Sequence, residues 1–267
     1  MGIRKYNAIR ITPGGPTMNV FITGATSGIG EACAITFAAA GHNLILLARR
    51  RERLHTIGKQ LTEKYGVQVN CLELDVRDRS GLAAAIQNHP HWFQNIDVLI
   101  NNAGLARGLS PIQDGSPEDW DTMIDTNVKG LLYATRAILP IMIKNSSGHI
   151  INIGSVAGHW VYEKGNVYCA SKYAVRALNE SLRLDLAGTP IRITEISPGM
   201  VETEFSEVRY GDKEKGKAVY AGKKPLQPSD IAETVLWCTS RPAHVNIQEV
   251  VIFPTEQPGV QRSPSSR

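Results

Sequence analysis

The sequence has few cysteines and spreads them widely: Cys33, Cys71, Cys169 and Cys238 form no Cys-x-x-Cys pair. That pattern argues against a zinc site or any other metal centre and against a disulfide framework, and it suits a reducing cytoplasm. Long apolar runs are also missing. The longest, such as residues 44–48, fall far short of the ~20 residues that cross a bilayer, which excludes a membrane protein of the helical kind. No Gly-x-Ser-x-Gly turn is present to support a serine hydrolase. A basic patch is lacking too, despite a formal charge of +4. Arg4, Lys5 and Arg10 lie in residues 1–17, and Arg262 and Arg267 lie in residues 257–267. Neither segment holds an acid, and without those five cations the body of the chain stands at −1. A nucleic-acid binder would carry its cations on the fold.

What is present is an alternation. Short, β-branched-rich runs at 19–23, 43–48, 68–74, 96–101, 149–153, 192–196 and 249–253 read as strands. Several are apolar throughout, as strands covered on both faces should be. Helical patterns fill the intervals at 28–40, 51–64, 79–88, 118–144, 165–187 and 229–239. Strand and helix in strict alternation imply an α/β fold with right-handed crossovers: one doubly wound domain, a parallel sheet of about seven strands with helices on both faces. The domain is expected over 18–256. Residues 1–17, with Pro13-Gly14-Gly15-Pro16, read as a flexible extension without the apolar core of a secretion signal. Residues 257–267, rich in proline, glycine and serine, read as a disordered tail.

The turn Thr23-Gly24-Ala25-Thr26-Ser27-Gly28-Ile29-Gly30 follows a strand and opens a helix, the context that lets backbone approach a pyrophosphate at a helix N-terminus. By itself such a turn is as often purely structural. At the end of the second strand, where an NAD-binding protein usually places an acid for the ribose 2′-hydroxyl, the chain reads Ala48-Arg49-Arg50-Arg51. Cations are unfavourable at a helix start, so Arg49 and Arg50 point to an anionic ligand and to a 2′-phosphate, hence NADP(H). Tyr168 and Lys172 stand four apart, on one face of a helix if the segment is helical. An ammonium near a phenol lowers its pKa towards the working range of an acid–base catalyst. That spacing is common by chance; its company is not. Asn101-Asn102-Ala103-Gly104, Asn127, Ser155 thirteen residues before Tyr168, and Pro198-Gly199 all occur in one order.

Taken together these residues resemble the short-chain dehydrogenase/reductase family over about 18–254. The resemblance implies an NADP-dependent oxidoreductase of the Rossmann type. Asn127, Ser155, Tyr168 and Lys172 would be its catalytic residues: Ser155 holding the substrate oxygen, Tyr168 exchanging its proton, Lys172 lowering the phenol's pKa and holding the nicotinamide ribose, and Asn127 positioning a water that links the lysine to solvent. Gly24, Thr26, Ser27, Gly28, Ile29 and Gly30 would take the pyrophosphate. Asp75 and Val76 would hold the adenine, Asn102, Ala103 and Gly104 would run along the cofactor, and Pro198, Gly199, Val201 and Thr203 would face the nicotinamide. Pairing through the two long central helices into a homodimer or tetramer is also implied.

Residues 101–106, 120–127, 203–209 and 242–246 are similar to a subgroup, the bacterial NADP-dependent 3-hydroxy acid dehydrogenases acting on serine, allo-threonine and 3-hydroxypropionate-type compounds. A small 3-hydroxy acid needs a cation for its carboxylate. Arg209 lies on a charged, glycine-containing segment between Glu202 and Lys224 that would cover the site; Arg107 is the next candidate. A broad carbonyl or 3-oxoacyl reductase, or a non-catalytic NADP-binding sensor, remains an alternative on the same fold.

Overall fold

The strand runs alternate with amphipathic runs because neither kind of element can cover its apolar surface alone. A computed structural model describes residues 16–260 and places all seven strands in one parallel sheet. In chain order these are β1 (Asn19–Thr23), β2 (Asn43–Ala48), β3 (Val69–Glu73), β4 (Val98–Asn101), β5 (Gly148–Ile153), β6 (Ile191–Pro198) and β7 (Glu249–Ile252). Their order across the sheet is β3-β2-β1-β4-β5-β6-β7. The helices are α1 (Gly28–Ala39), α2 (Arg51–Tyr65), α3 (Arg79–Asn88), α4 (Pro90–Phe93), α5 (Pro117–Ile124), α6 (Leu131–Lys144), α7 (Asn166–Asp185), α8 (Phe205–Tyr210), α9 (Lys213–Ala218) and α10 (Pro228–Thr239). The expected doubly wound α/β fold is what the chain adopts.

Two apolar layers explain the uniformly apolar strands. Val20, Ile22, Leu44 and Leu46 pack with Phe37 of α1, Leu54 of α2 and Ile231 of α10. Phe21, Ile45 and Leu47, pointing the other way, pack with Leu82 of α3, Phe93 of α4 and Ile138 of α6. Phe21 and Phe93 meet edge to face at 5.7 Å. Alternate residues of one strand therefore serve opposite layers. No helix among the described residues is long and apolar enough to cross a membrane.

Two expectations need correction. The segment 118–144 is not one helix. A wide π-helical turn, Asp125–Gly130, separates α5 from α6 and carries Thr126 and Asn127 inward. Wide turns of this kind commonly mark functional positions. In the segment after Glu202, α8 and α9 form. The tail was expected to begin at Gln257, yet the Gln257 side chain accepts a 2.7 Å hydrogen bond from the Met200 N–H. Residues 1–15 and 261–267 lie outside the described residues.

A chain of asparagines crosses the sheet under the site. Asn101 donates to Thr135 at 2.9 Å and to Asn152 at 3.0 Å, and Asn152 donates to Asn179 on α7 at 3.0 Å. All of these groups are buried. Asn152→Ala strands an amide donor and a carbonyl acceptor in the interior, so a loss of roughly 2–4 kcal/mol is expected in urea unfolding. A loss under about 0.5 kcal/mol would show that the chain is dispensable.

Candidate active site

The sheet reverses its direction of winding between β1 and β4, and a crevice opens there at the strands' C-terminal ends. Thr23, the last residue of β1, closes its floor: its hydroxyl accepts from the N–H groups of Asn102 and Ala103, both at 3.0 Å. The Asn102 amide returns two hydrogen bonds, to the carbonyls of Thr23 and Gly24 at 3.0 and 3.1 Å. The glycine turn is thus held against the chain after β4. Gly24 and Gly28 have positive φ, +68° and +56°, which favours glycine there. A Cβ at Gly30 would strike the Gly24 carbonyl oxygen and the Asn102 amide. These contacts give Asn102 a structural task that its sequence context did not show.

The crevice leads into a cleft of about 380 Å³. Its walls include Gly24, Thr26, Ser27, Gly28, Ile29, Arg49, Arg50, Asp75, Val76, Asn102, Ala103, Gly104, Ser155, Tyr168, Lys172, Pro198, Gly199, Val201 and Thr203. Of the residues expected to bind the cofactor or to carry the chemistry, all line it except Gly30, Asn127 and Arg209. The residues fit a dinucleotide. The N-terminus of α1 opens into the cleft with no side chain capping it, which leaves N–H donors for a pyrophosphate. Arg49, 62% exposed, stands at one end with a loose 3.6 Å contact to Asp75, and Tyr168 and Lys172 stand at the other. Asp75 is itself gripped by Arg77 at 2.7 Å.

The Ser155 hydroxyl accepts from the Ala157 N–H at 3.1 Å and acts on the Tyr168 phenol to lower its pKa. Phe205 of α8 packs on the Tyr168 ring at 5.4 Å between centroids. The Lys172 ammonium donates to the Ile153 carbonyl at 2.8 Å. Asn127 spends its whole side chain on protein: it accepts from the Leu105 N–H at 2.8 Å and donates to the Leu105 carbonyl and to Ser171 at 2.8 and 3.0 Å. It thereby pins the loop after β4 to α7, and Gly104 is the residue between. A Cβ there would come within 3.3 Å of Asn127 Oδ1 and 3.7 Å of the Lys172 ammonium.

Burial lowers Lys172 from 10.5 to about 8, with the nearby Glu195 carboxylate opposing the change. Burial pushes the Tyr168 phenol up, and the Ser155 side chain and the charge of Arg209 offset part of it. Arg209 lies over both aromatic walls, 5.3 Å from the Tyr162 ring and 5.5 Å from the Tyr168 ring, and donates to the Tyr162 hydroxyl at 2.6 Å. Its backbone and side chain are tied to Gly108, and Arg107 donates to the Val208 carbonyl at 3.2 Å. The covering helix α8 is therefore fastened to the loop after β4. Sequence reasoning missed Glu204 and Phe205, which only the fold brings to the cleft, and Tyr162, which it brings to Arg209.

Behind Lys172, the ligand atoms of His159, Glu195 and Glu249 lie within 4.8 Å of one another. Burial pushes Glu195 up to about 7 despite a hydrogen bond from Ser197, and His159 Nε2 and Glu249 Oε1 are only 2.5 Å apart.

Fold and cleft together define a dinucleotide-dependent oxidoreductase. Residues 18–214 match the family described as short chain dehydrogenase, and the chain belongs to that family. The NADP-dependent 3-hydroxy acid dehydrogenase YdfG of Salmonella typhi is 50% identical over 242 residues, covering 90% of this chain and 96% of that one. Sulfoacetaldehyde reductase 2 of Chromohalobacter salexigens is 46% identical over 240 residues, covering 89% and 94%. The closed form of serine dehydrogenase complexed with NADP+ superposes with a TM-score of 0.87 at 45% identity, covering 94% of this chain and all of that one.

Because Lys172 is held below its unfolded pKa, it opposes folding most strongly below about pH 8, and the penalty fades as pH rises towards 10.5. Lys172→Met should abolish turnover yet raise unfolding stability at pH 7 by on the order of 1 kcal/mol, after allowing for the lost Ile153 hydrogen bond. The gain should shrink between pH 8 and 10. A variant equally or less stable than wild type at pH 7 would contradict this reading of the burial.

Proposed function

We propose that this chain is an NADP(H)-dependent oxidoreductase that interconverts an alcohol and a carbonyl on small 3-hydroxy acids of the serine, allo-threonine and 3-hydroxypropionate type. The observation that carries this reading is the guanidinium of Arg209 over the ring of Tyr168, whose phenol the Ser155 side chain also influences. A proton-transfer group in the cleft wall thus has a cation directly behind it. The names of the relatives support it from outside the structure.

When bound, the nicotinamide supplies the hydride chemistry, and the protein manages the proton. Ser155 holds the substrate oxygen against Tyr168. The phenol gives that oxygen a proton in reduction and takes one in oxidation. Arg209 stabilises the phenolate and faces the substrate carboxylate; both tasks favour a cation in a site largely shielded from water. Lys172, poised near neutrality, exchanges protons readily at working pH. Asn127 keeps the loop bearing Gly104 in register with α7. Arg49 and Arg50 read the 2′-phosphate, Asp75 and Val76 border the adenine, Asn102, Ala103 and Gly104 run along the cofactor, and Pro198, Gly199, Val201 and Thr203 face the nicotinamide.

A single substrate screen following NADPH absorbance tests the scheme. Tyr168→Phe should keep cofactor binding and lose at least ~10²-fold in turnover. Arg209→Met should lose roughly 10- to 100-fold in kcat/KM on 3-hydroxy acids, while changing a neutral ketone of similar size much less. Equal losses on acid and neutral substrates would remove the carboxylate from the Arg209 assignment.

A homo-oligomer fits the apolar side chains left exposed on the central helices, Leu132 and Ile143 on α6 and Leu184 on α7. Light scattering at micromolar concentration should give a dimer or tetramer; a monomer would oppose it. The free thiols suit the cytoplasm.

A further inference from the structure

Arg50 does not stand open to the cleft. Three of its N–H groups are committed: Nε to the Thr26 hydroxyl at 3.1 Å, one terminal nitrogen to the Thr26 carbonyl at 3.0 Å, and the other to Glu204 at 2.8 Å. The second oxygen of Glu204 accepts from Arg53 on α2 at 2.6 Å. One carboxylate therefore spans two guanidiniums, Arg50 at the start of α2 and Arg53 within its first turn. Arg53 has a second, looser acid at 3.6 Å in Glu31. Glu204 also lines the cleft, beside Arg49, Arg50 and Asp75. Burial pushes its carboxyl up, but the hydrogen bonds and charges of Arg50 and Arg53 more than offset that and keep it ionised.

A carboxylate forked across two arginines presents oxygens much as a phosphate does. We propose that Glu204 is an internal competitor for the 2′-phosphate at Arg50 and Arg53, and so sets how strongly the protein prefers NADP(H) to NAD(H). The inference rests on NADP(H) being the cofactor and adds Arg53 to the phosphate subsite. Whenever Glu204 holds the arginines, the subsite is closed to phosphate, and apparent affinity falls by the fraction of molecules so held. Once phosphate enters, the displaced carboxylate remains a nearby like charge, screened by salt. NAD(H) carries a hydroxyl at that position and gains nothing from freeing the arginines. Glutamine at 204 keeps the size and one acceptor but removes the charge.

Equilibrium titration of the cofactor-free protein with NADPH and with NADH, followed by nicotinamide fluorescence, tests this without turnover. Glu204→Gln should tighten NADPH by roughly three- to tenfold, the range of a partly exposed ion pair, and leave NADH within about twofold. Glu204→Asp, which keeps the charge, should stay close to wild type. In an Arg50→Gln/Arg53→Gln background, adding Glu204→Gln should bring no gain. Weaker NADPH binding by Glu204→Gln, no change, or an equal change for both dinucleotides would overturn the proposal; the last would mean that Glu204 braces the cleft over parts common to both. Wild-type protein that bound NADH as tightly as NADPH would overturn the cofactor assignment itself.

Discussion

The close approach of the glycine turn to the chain after β4 is the constraint on which this molecule depends. The sheet order brings the ends of β1 and β4 side by side, and Thr23 and Asn102 lock them with hydrogen bonds in both directions. Backbone can come this near to backbone only where no Cβ intervenes, and Gly30 meets that condition. With the floor closed, the N-terminus of α1 faces an open crevice. Everything proposed for the cofactor follows from that arrangement.

The chemistry at the other end is organised by burial. Tyr168 and Lys172 are both pushed towards their neutral forms by desolvation, because each leaves water when α7 packs on β5 and β6. A neutral phenol beside a lysine close to neutrality suits a site that must hand protons in either direction. The charge acting on the phenol comes from Arg209, two elements away. In the proposed scheme, binding of an anionic substrate and tuning of the proton donor are coupled through that one side chain. The folding cost of a buried lysine is the counterpart of that arrangement.

The segment from Val201 to Val219 joins the two ends. Thr203 rests near Gly28 at the pyrophosphate end, Glu204 binds the arginines at the ribose end, Phe205 packs on Tyr168, and Arg209 reaches the proposed carboxylate position. Just past its end, Tyr220 holds Ser206 and the Val201 carbonyl at 2.8 and 2.9 Å.

The sequence alone determined the elements and the layers. Apolar runs such as 19–23 and 43–48 could only be strands buried on two faces, and the structure places them at those bounds. The order of the glycine turn, Asn127, Ser155, Tyr168 and Lys172 likewise marked the cleft, because close backbone approach and proton transfer each demand particular residue types. What only the tertiary structure decided is who touches whom across long sequence distances. Glu204 meets Arg50 and Arg53 from about 150 positions away, Arg209 reaches Tyr162 and Tyr168, and Asn127 spends its amide on Leu105 and Ser171. The wide turn at Asp125–Gly130 belongs to the same class, since local helix preference over 118–144 favours an unbroken helix. Periodicity and residue chemistry are local and survive in the sequence. Desolvation and ion pairing depend on the three-dimensional neighbourhood, so the direction of the Tyr168 shift and the occupancy of Arg50 emerged only once the chain was folded.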